Sequence, residues 1–214
     1  MHDGGISFVV PCRDKASIEK IEARLHKKLS AFRGHYELLV VSGNQPSAQR
    51  NRAVSKARGK YLYFLDDDSD LNPQSVPEAL RALNSHPWVA GVGGPAIPEA
   101  RTDFERAIAA ALVSFWGSGP CRFRYKPLGR TRPASETDLI LSNFVVRRDV
   151  WLANGGLDEH FYPNEENEFI NRLKGKGLVF LYEPKMQVRQ PVRATPKALA
   201  RQMYRYGLSR ALHT

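Results

Sequence analysis

The chain has 214 residues, of which 42% are hydrophobic and 25% are charged, a composition typical of a folded protein with one large or two small domains. Its two cysteines lack the spacing of zinc ligands or of a disulfide framework, which argues against a disulfide-rich secreted domain and favours a reducing compartment. The longest apolar stretch, at 107–116, is about half of the ~20 residues that span a bilayer, and the first five residues have no signal-peptide pattern, so we expect a cytoplasmic protein.

Strands and helices alternate through the first hundred residues. The predicted elements are a strand at 6–11, a helix at 18–32, a strand at 36–41, a helix at 47–58 and a strand at 61–65. Gly34 and Gly59 are predicted to end the two helices. Because the strands are apolar at nearly every position, we expect an α/β fold whose mostly parallel, Rossmann-like sheet has helices on both faces.

The second half has a less regular pattern. Its predicted elements are a helix at 103–116, a loop rich in Gly, Pro and Arg at 117–133, a strand at 139–146, a helix at 165–174, a strand at 178–182 and a helix that begins at 195. Gly207 is expected to end that last helix. The glycine-rich run at 91–94 is interpreted as a tight turn. Trp116 is interpreted as a core residue, with stacking on a sugar as the alternative.

Three carboxylates, Asp66, Asp67 and Asp68, directly follow the apolar strand at 61–65. Such a concentration of charge is costly unless a cation or a set of donors neutralises it. Ligands of open α/β sheets bind outside the carboxyl ends of the strands, so a hard divalent cation with a phosphate-bearing substrate would fit at this position. An acidic turn that caps the next helix is the alternative.

Two common nucleotide-binding motifs are absent from the sequence. It contains no G-x-x-x-x-G-K-[ST] loop and no G-x-G-x-x-G after the first strand, which disfavours a P-loop NTPase and a dinucleotide-dependent oxidoreductase. A bound phosphate would therefore be held by a metal ion and side chains rather than by a glycine loop. This favours the metal interpretation of the three aspartates.

Four separated segments carry a pattern in a fixed order and spacing. They are FVVPCRD at 8–14, SAQRNRA with ARGKY and FLDDD at 47–68, SNFVVRR at 142–148, and GGLD with EENEFINRL at 155–173. Together they resemble glycosyltransferase family 2, a large family of inverting enzymes with the GT-A fold. The resemblance implies transfer of a sugar from a nucleoside-diphosphate sugar to a hydroxyl of a glycan or lipid-linked acceptor, with a divalent metal.

The resemblance also implies roles for individual residues. Asp68, with Asp66, would bind Mn²⁺ or Mg²⁺, and Glu166 would be the catalytic base, with Glu165 as the competing assignment. Arg172, one to two turns further on, would pair with the acids of the cluster Glu165, Glu166 and Glu168 and orient them. The residues expected to contact the nucleotide sugar are Pro11, Cys12, Arg13, Ser42, Arg50, Asn51, Asp66, Asp67 and Asn143.

Three positions depart from the family pattern. Ser42 stands where the family often has an Asp that contacts the nucleobase, and a hydroxyl supplies no charge. Glu166 stands where Asp is the more usual base. Gln190 stands near the place where many relatives carry a His that is sometimes a metal ligand, so we expect a weaker metal site or a lower dependence on metal.

The C-terminal region concentrates positive charge. Residues 185–214 contain seven Lys or Arg and no acid, within a net charge of +10. Arg193, Lys197, Arg201 and Arg205 recur every four residues, a pattern typical of a helix that rests on anionic lipid. We expect this helix to contact the inner face of the plasma membrane, with a solvated helix face as the alternative, and we expect no nucleic-acid partner.

The predicted division has three parts: a nucleotide-sugar-binding half at 1–100, an acceptor and catalytic half of the same domain at 101–192, and a basic amphipathic helix at 193–214. A sugar-nucleotide pyrophosphorylase is a weaker alternative, because residues 11–14 do not form a Gly- and Arg-rich phosphate loop. A non-catalytic nucleic-acid or membrane-binding module is another alternative, although the acidic clusters oppose it. An inactive glycosyltransferase-like scaffold is the third.

Overall fold

The structure is a computed structural model that describes residues 5–211, without the side chain of Arg210. The predictions for the first four residues and for the last three residues of the basic helix lie outside the described residues. The strands are β1 (Ile6–Cys12), β2 (Tyr36–Ser42), β3 (Tyr61–Leu65), β4 (Asp70–Leu71), β5 (Val89–Gly93), β6 (Ala96–Glu99), β7 (Arg132–Pro133), β8 (Asn143–Arg147), β9 (Val179–Tyr182) and β10 (Val188–Pro191). The α-helices are α1 (Ile18–Lys28), α2 (Pro46–Val54), α3 (Ser75–Ser85), α4 (Asp103–Val113), α5 (Phe115–Ser118), α6 (Arg148–Ala153), α7 (Glu165–Gly175) and α8 (Pro196–Ala211).

Seven strands form one mixed sheet in the order β2-β1-β3-β8-β5-β9-β7. β1 pairs in parallel with β2 and β3, and β5 pairs in parallel with β9, whereas β8 runs antiparallel between β3 and β5. The predicted α/β class and mostly parallel sheet are therefore confirmed, with β8 and the edge strand β7 as the antiparallel members. Because β7, β8 and β9 come from the second half of the chain, both halves build the same sheet.

The sheet is buried on both faces, which explains why its strands are apolar at nearly every position. One face packs against α1 and α3 through residues such as Leu25 and Leu83. The other packs against α2, α6 and α7 through residues such as Trp151 and Phe169. The helices on both faces thus hold the sheet in place, and the sheet in turn positions the residues at its carboxyl edge.

A second sheet of three short strands, in the order β4-β10-β6, lies beside this edge. β10 pairs antiparallel with β4, which places Arg189 opposite Asp70. It also pairs in parallel with β6, which places Gln190 opposite Pro98. The backbone of Gln190 is therefore fixed next to the residues that follow β3.

Helix α2 ends at Val54, four residues before the predicted end at Arg58. The side chain of Glu37 on β2 accepts hydrogen bonds from the backbone N–H groups of Arg58 at 2.6 Å and Gly59 at 3.3 Å. Ser7 on β1 also accepts from the Gly59 N–H, at 2.9 Å. These donors are bound to the sheet, so they cannot continue the helix.

The predicted helix at 103–116 is interrupted at Ser114, which has an extended backbone and caps the backbone N–H of Trp116. The interruption turns Trp116 away from the core. Its side chain is 94% exposed, so the prediction of a core tryptophan was wrong. The predicted loop that follows contains a 3-10 helix at Gly119–Arg124 and the short strand β7.

Three other predictions of local structure were wrong. Gly91 to Gly93 belong to the buried strand β5 rather than to a turn, and a Cβ on Gly94 would collide with the backbone carbonyl of Met186. The strand predicted at 139–146 begins only at Asn143, because the chain turns through a hydrogen bond from the Asn143 N–H to the Ile140 carbonyl. Helix α8 continues through Gly207 to Ala211.

Candidate active site

A cleft of about 740 Å³ opens at the carboxyl edge of the main sheet. Its floor comes from the ends of β1 and β3, and its walls come from α2, α4, α7, α8 and β10. The predicted site residues that line it are Pro11, Cys12, Arg13, Arg50, Asp66, Asp67, Asp68, Glu165 and Glu166. The two acidic clusters, about 100 residues apart in sequence, therefore share one cavity.

Arg50 links the two acidic clusters directly. Its guanidinium donates from Nη2 to Asp66 Oδ1 at 2.6 Å and from Nη1 to Glu165 Oε1 at 3.0 Å. The Arg50 and Glu165 side chains are each only 5% exposed, so these charges have little water to solvate them. Charges in such surroundings persist only when they are paired and hydrogen-bonded, and Arg50 meets that need for both acids.

Gln190 holds the other side of the acidic triplet. Its Nε2 donates to Asp66 Oδ2 at 3.0 Å and to Asp68 Oδ1 at 3.2 Å. Its Oε1 accepts a hydrogen bond from Ser142 Oγ at 3.1 Å. Asp66 is thus bound at both of its oxygens, while Asp68 is the most exposed residue of the triplet.

The charged forms of Asp67 and Asp68 are destabilised in the structure, as the run of three carboxylates predicts. Burial, followed by the charge of Asp66, raises the pKa of Asp67. Burial and the Asp66 charge also raise the pKa of Asp68, although the hydrogen bond from Gln190 partly offsets them. These carboxylates are therefore short of positive charge, which a cation would supply.

The residues present fit a divalent cation that shares its shell with phosphate oxygens. Within residues 5–211, no group of three or more His, Cys, Asp or Glu side chains could hold a metal ion alone. Asp66 and Asp68 nevertheless each direct one oxygen towards Gln190 Nε2, so a cation beside these two oxygens would take one ligand from each aspartate. Mg²⁺ is commonly bound in this manner, through one or two carboxylates together with substrate phosphates.

The neighbouring glutamates of α7 have different surroundings. Burial, followed by the charge of Glu166, raises the pKa of Glu165 to about 7, and Arg50 acts in the opposite direction. Glu166 is less buried, with a side chain that is 15% exposed, and its Oε1 lies 3.4 Å from Nη1 of Arg124. Both carboxylates lie in the first turn of α7, where the helix dipole favours negative charge.

Arg124 is a residue of this site that the sequence analysis missed. It is 7% exposed, and besides Glu166 its guanidinium donates to the Asn167 side chain and to the Glu136 carbonyl. It lies in a segment that was interpreted as a loop, without hydrophobic periodicity. The many arginines of this segment were the only signal in the sequence, and they do not distinguish Arg124 from the others.

Three predicted nucleotide contacts are not brought to the cleft. Asn143 is fully buried, and its amide is bound to Tyr63 and to backbone carbonyls. The Asn51 side chain is bound to the backbone of Leu157, where it joins α2 to the chain before α7. Ser42 ends β2 beside the cleft but does not line it.

The predicted pairing of Arg172 with the acids of α7 is found for Glu168. Arg172 pairs with Glu168 one turn earlier on α7 and donates to the carbonyls of Asn154 and Gly156. It therefore fixes the outer face of α7. Among the described residues, the arginines that form ion pairs with carboxylates of the cleft are Arg50 and Arg124.

The fold and the site define an α/β domain of the GT-A type, with paired carboxylates at the carboxyl edge of its sheet. Residues 14–152, more than half of the chain, match the family described as Glycosyl transferase family 2. The chain belongs to glycosyltransferase family 2, and the resemblance of its motifs is confirmed.

Comparisons with individual proteins found one relative by sequence and one solved structure with a similar fold. The chain is 22% identical over 138 residues to the GalNAc(5)-diNAcBac-PP-undecaprenol beta-1,3-glucosyltransferase of Campylobacter jejuni subsp. jejuni serotype O:2. The match covers 62% of this chain and 39% of the relative, so it spans about two fifths of the length of that protein. A solved structure of a Drosophila beta-1,4-galactosyltransferase 7 mutant with manganese, UDP-Gal and xylobiose has a similar fold, with a TM-score of 0.52 and 14% identity over 84% of this chain and 64% of that one.

Proposed function

We propose that this protein transfers a sugar from a nucleoside-diphosphate sugar to a hydroxyl group of a glycan or lipid-linked acceptor, with inversion at the anomeric carbon. The observation that carries this proposal is the single cleft in which Arg50 joins Asp66 to Glu165. One acidic cluster has the surroundings of a diphosphate and metal site, and the other has carboxylates that could act as a base. A metal-dependent inverting transfer would use both.

The donor would bind over the triplet. Asp68 and Asp66 would hold Mn²⁺ or Mg²⁺, which when bound would neutralise charge on the departing nucleoside diphosphate. Mn²⁺ is the favoured ion, because the structural relative was solved with manganese. Arg13 is exposed at the same edge and would contact the nucleotide, together with the ends of β1 and β3.

The chemical step would be a direct displacement. The base takes the proton of the acceptor hydroxyl while that oxygen forms a bond to the anomeric carbon. The bond between that carbon and the diphosphate oxygen breaks, and the nucleoside diphosphate leaves with the electron pair. No covalent intermediate with the protein is needed, so a single carboxylate suffices.

Glu166 is the proposed base. It is more exposed to the cleft than Glu165, and its partner Arg124 is a loose contact at 3.4 Å. Glu165 is almost fully enclosed, and its Oε1 is bound to Arg50 at 3.0 Å. We therefore assign Glu165 to the positioning of Arg50 and of the first turn of α7, and keep it as the second candidate for the base.

The acceptor would enter from the side formed by α4, α5 and α8, which line the part of the cleft away from β1. The relative from Campylobacter jejuni is named for a lipid-linked glycan, and this favours the same class of acceptor here. Lys197 and Arg201 are exposed on α8, with Tyr204 and Leu208 also exposed, whereas Arg205 lines the cleft over the ring of Tyr162. This mixture suits the surface of an anionic membrane.

We place the protein at the inner face of the plasma membrane and retain the three-part division at residues 100 and 192. In residues 5–211, no helix is both long enough and apolar enough to cross a bilayer. Contact with the membrane would therefore be made by the outer face of α8.

Sedimentation with vesicles of anionic lipid tests this: Lys197→Glu with Arg201→Glu should abolish binding, whereas Lys20→Glu with Lys27→Glu, exposed on α1, should not. Equal losses in both double variants would show that only net charge matters.

The transfer proposal is tested by nucleotide binding before the sugar is known. Calorimetric titration with UDP, GDP, dTDP and ADP, each with and without Mn²⁺, should show one preferred nucleotide whose affinity rises with the metal. The matching sugar nucleotide should then be hydrolysed slowly or transferred to a lipid-linked acceptor. Failure of every nucleoside diphosphate to bind would refute the proposal.

A further inference from the structure

Gln190 contacts both ends of the acidic triplet through a single nitrogen atom. The distances from Nε2 are 3.0 Å to Asp66 Oδ2 and 3.2 Å to Asp68 Oδ1, and Oε1 accepts from Ser142 Oγ at 3.1 Å. The terminal amide is therefore held between the triplet on one side and Ser142 on the other. Both of its polar atoms have partners in this orientation.

Ser142 would satisfy the amide in the opposite orientation as well. A hydroxyl can either donate or accept a hydrogen bond, whereas ionised carboxylate oxygens can only accept. Nε2 must therefore face the carboxylates while no cation lies between them. A half-turn of the terminal amide would bring Oε1 towards Asp66 and Asp68, and Ser142 Oγ would then accept from Nε2.

The spacing at this position matches that of neighbouring ligands around one small cation. Adjacent oxygens in an octahedral shell with bonds of 2.0–2.1 Å are about 3.0 Å apart. Nε2 lies at nearly that distance from one oxygen of Asp66 and one of Asp68. An Oε1 brought there by the half-turn would be adjacent to both carboxylate oxygens.

The backbone of Gln190 does not need to move for this exchange. β10 is paired on both sides, with β6 and with β4, and the pair that it forms with Pro98 fixes residue 190 itself. The half-turn changes only the last side-chain torsion, which is broad for an amide. The exchange is therefore confined to one planar group.

We propose that Gln190 is a reversible ligand, which donates to Asp66 and Asp68 in the metal-free protein and turns its Oε1 to the divalent cation when the cation binds. This inference rests on the metal of the proposed function. A neutral oxygen ligand completes a protein contribution of three, and substrate oxygens would supply the rest.

Titration of the whole protein with Mn²⁺, with free Mn²⁺ read by electron paramagnetic resonance and no sugar nucleotide present, tests the ligand role. Gln190→Met keeps the length of the side chain but removes both the donor and the oxygen, and should weaken Mn²⁺ binding about tenfold. Gln187→Met is the matched control, because that amide is bound to the Pro184 carbonyl rather than to the triplet, and its affinity should stay within twofold of wild type. Thermal unfolding without metal confirms that both variants fold.

The half-turn has a readout of its own. In ¹H–¹⁵N spectra, the side-chain NH₂ signal that Gln190→Met removes should shift when Mg²⁺ is added to the wild type, because its acceptor changes from carboxylates to a hydroxyl. Mn²⁺ binding to Gln190→Met that equals or exceeds the wild type would overturn the inference, since the amide would then only compete with the ion. A wild type that binds no Mn²⁺, even with the preferred nucleoside diphosphate, would instead refute the metal in the proposed function.

Discussion

The proposed donor half and the proposed acceptor half of this protein are built in different ways. The donor edge rests on the parallel strands β1, β2 and β3, of which β1 and β3 are paired on both sides, and its charged groups are fixed by buried partners such as Arg50. The acceptor side, from α4 to β7, consists of short helices and turns, and it exposes the aromatic side chains of Phe115 and Trp116. We infer that the donor site is preformed, whereas the acceptor site takes its shape from surface segments.

The boundary between the two halves passes through the first turn of α7. Glu165 faces the donor side and is bound to Arg50, while Glu166 is bound to Arg124 of the acceptor side. Two adjacent residues therefore belong to different networks. Substitutions of the two should have different consequences, which makes them the sharpest test of the comparison.

The largest expected effect is that of Glu166→Gln. Loss of a general base lowers rates by a factor of about 10²–10⁴, so transfer should fall by roughly 10³ while the affinity for nucleoside diphosphate changes less than twofold. The measurement is single-turnover transfer beside calorimetric nucleotide titration. Glu168→Gln is the control, since Glu168 pairs with Arg172 on the outer face of α7. Normal transfer by Glu166→Gln would move the base to Glu165.

The next effect is on the donor side alone. Asp68→Asn should weaken Mn²⁺-dependent nucleotide binding by about 10²-fold, because it removes one of the two carboxylates of the proposed metal site, which both contact Gln190. Asp70→Asn removes a carboxylate two residues later, where it pairs with Lys28, and should leave binding unchanged. Equal effects of the two substitutions would mean that the triplet acts only through its total charge.

The same difference in construction explains what the sequence could predict. The strands of the donor half are continuous apolar runs, so their existence and order follow from local pattern, and the acids at the exit of β3 follow with them. Arg124, by contrast, lies in a non-periodic segment and reaches Glu166 only through tertiary structure. Trp116 was misplaced because one capping serine interrupts a helix whose apolar pattern continues through it.

Long-range polar contacts were the other part that local pattern could not supply. Asn143 and Asn51 were expected to contact the nucleotide sugar. In the structure their side-chain amides instead donate hydrogen bonds to backbone carbonyls. A buried amide must satisfy its donors and acceptor, and any nearby carbonyl can do so. Sequence alone does not distinguish such an asparagine from one that meets a ligand.

Glu165 should make the stability of the protein depend on pH in a defined direction. Its folded pKa of about 7 lies above the ordinary value of 4.5, so the charged form is disfavoured in the folded state. This raised pKa stabilises the folded state fully below pH 4.5. The stabilisation, roughly 1–3 kcal/mol, is lost as the pH rises from 4.5 towards 7 and is absent above pH 7. In urea unfolding at several pH values, the free energy of unfolding of Glu165→Gln should rise relative to that of the wild type between about pH 4.5 and 7. Glu19→Gln, exposed on α1, should follow the wild type, and parallel curves for Glu165→Gln would contradict the predicted burial of its charge.

The smallest expected effect concerns the surface of the acceptor half. Trp116 is 94% exposed beside Gly117 and Ser118, which line the cleft, so Trp116→Ala should leave the free energy of unfolding within about 0.5 kcal/mol. If the acceptor rests on this side chain, its KM should rise by about three- to tenfold with kcat and donor KM unchanged, since the lost contact is the same in the ground and transition states. Trp88 is 67% exposed at the opposite, amino end of β5, and Trp88→Ala is the matched control. An effect of Trp116→Ala on donor KM would contradict the comparison. A substitution on a surface helix of the acceptor half would then have changed donor binding at the paired strands, so the two halves would be coupled.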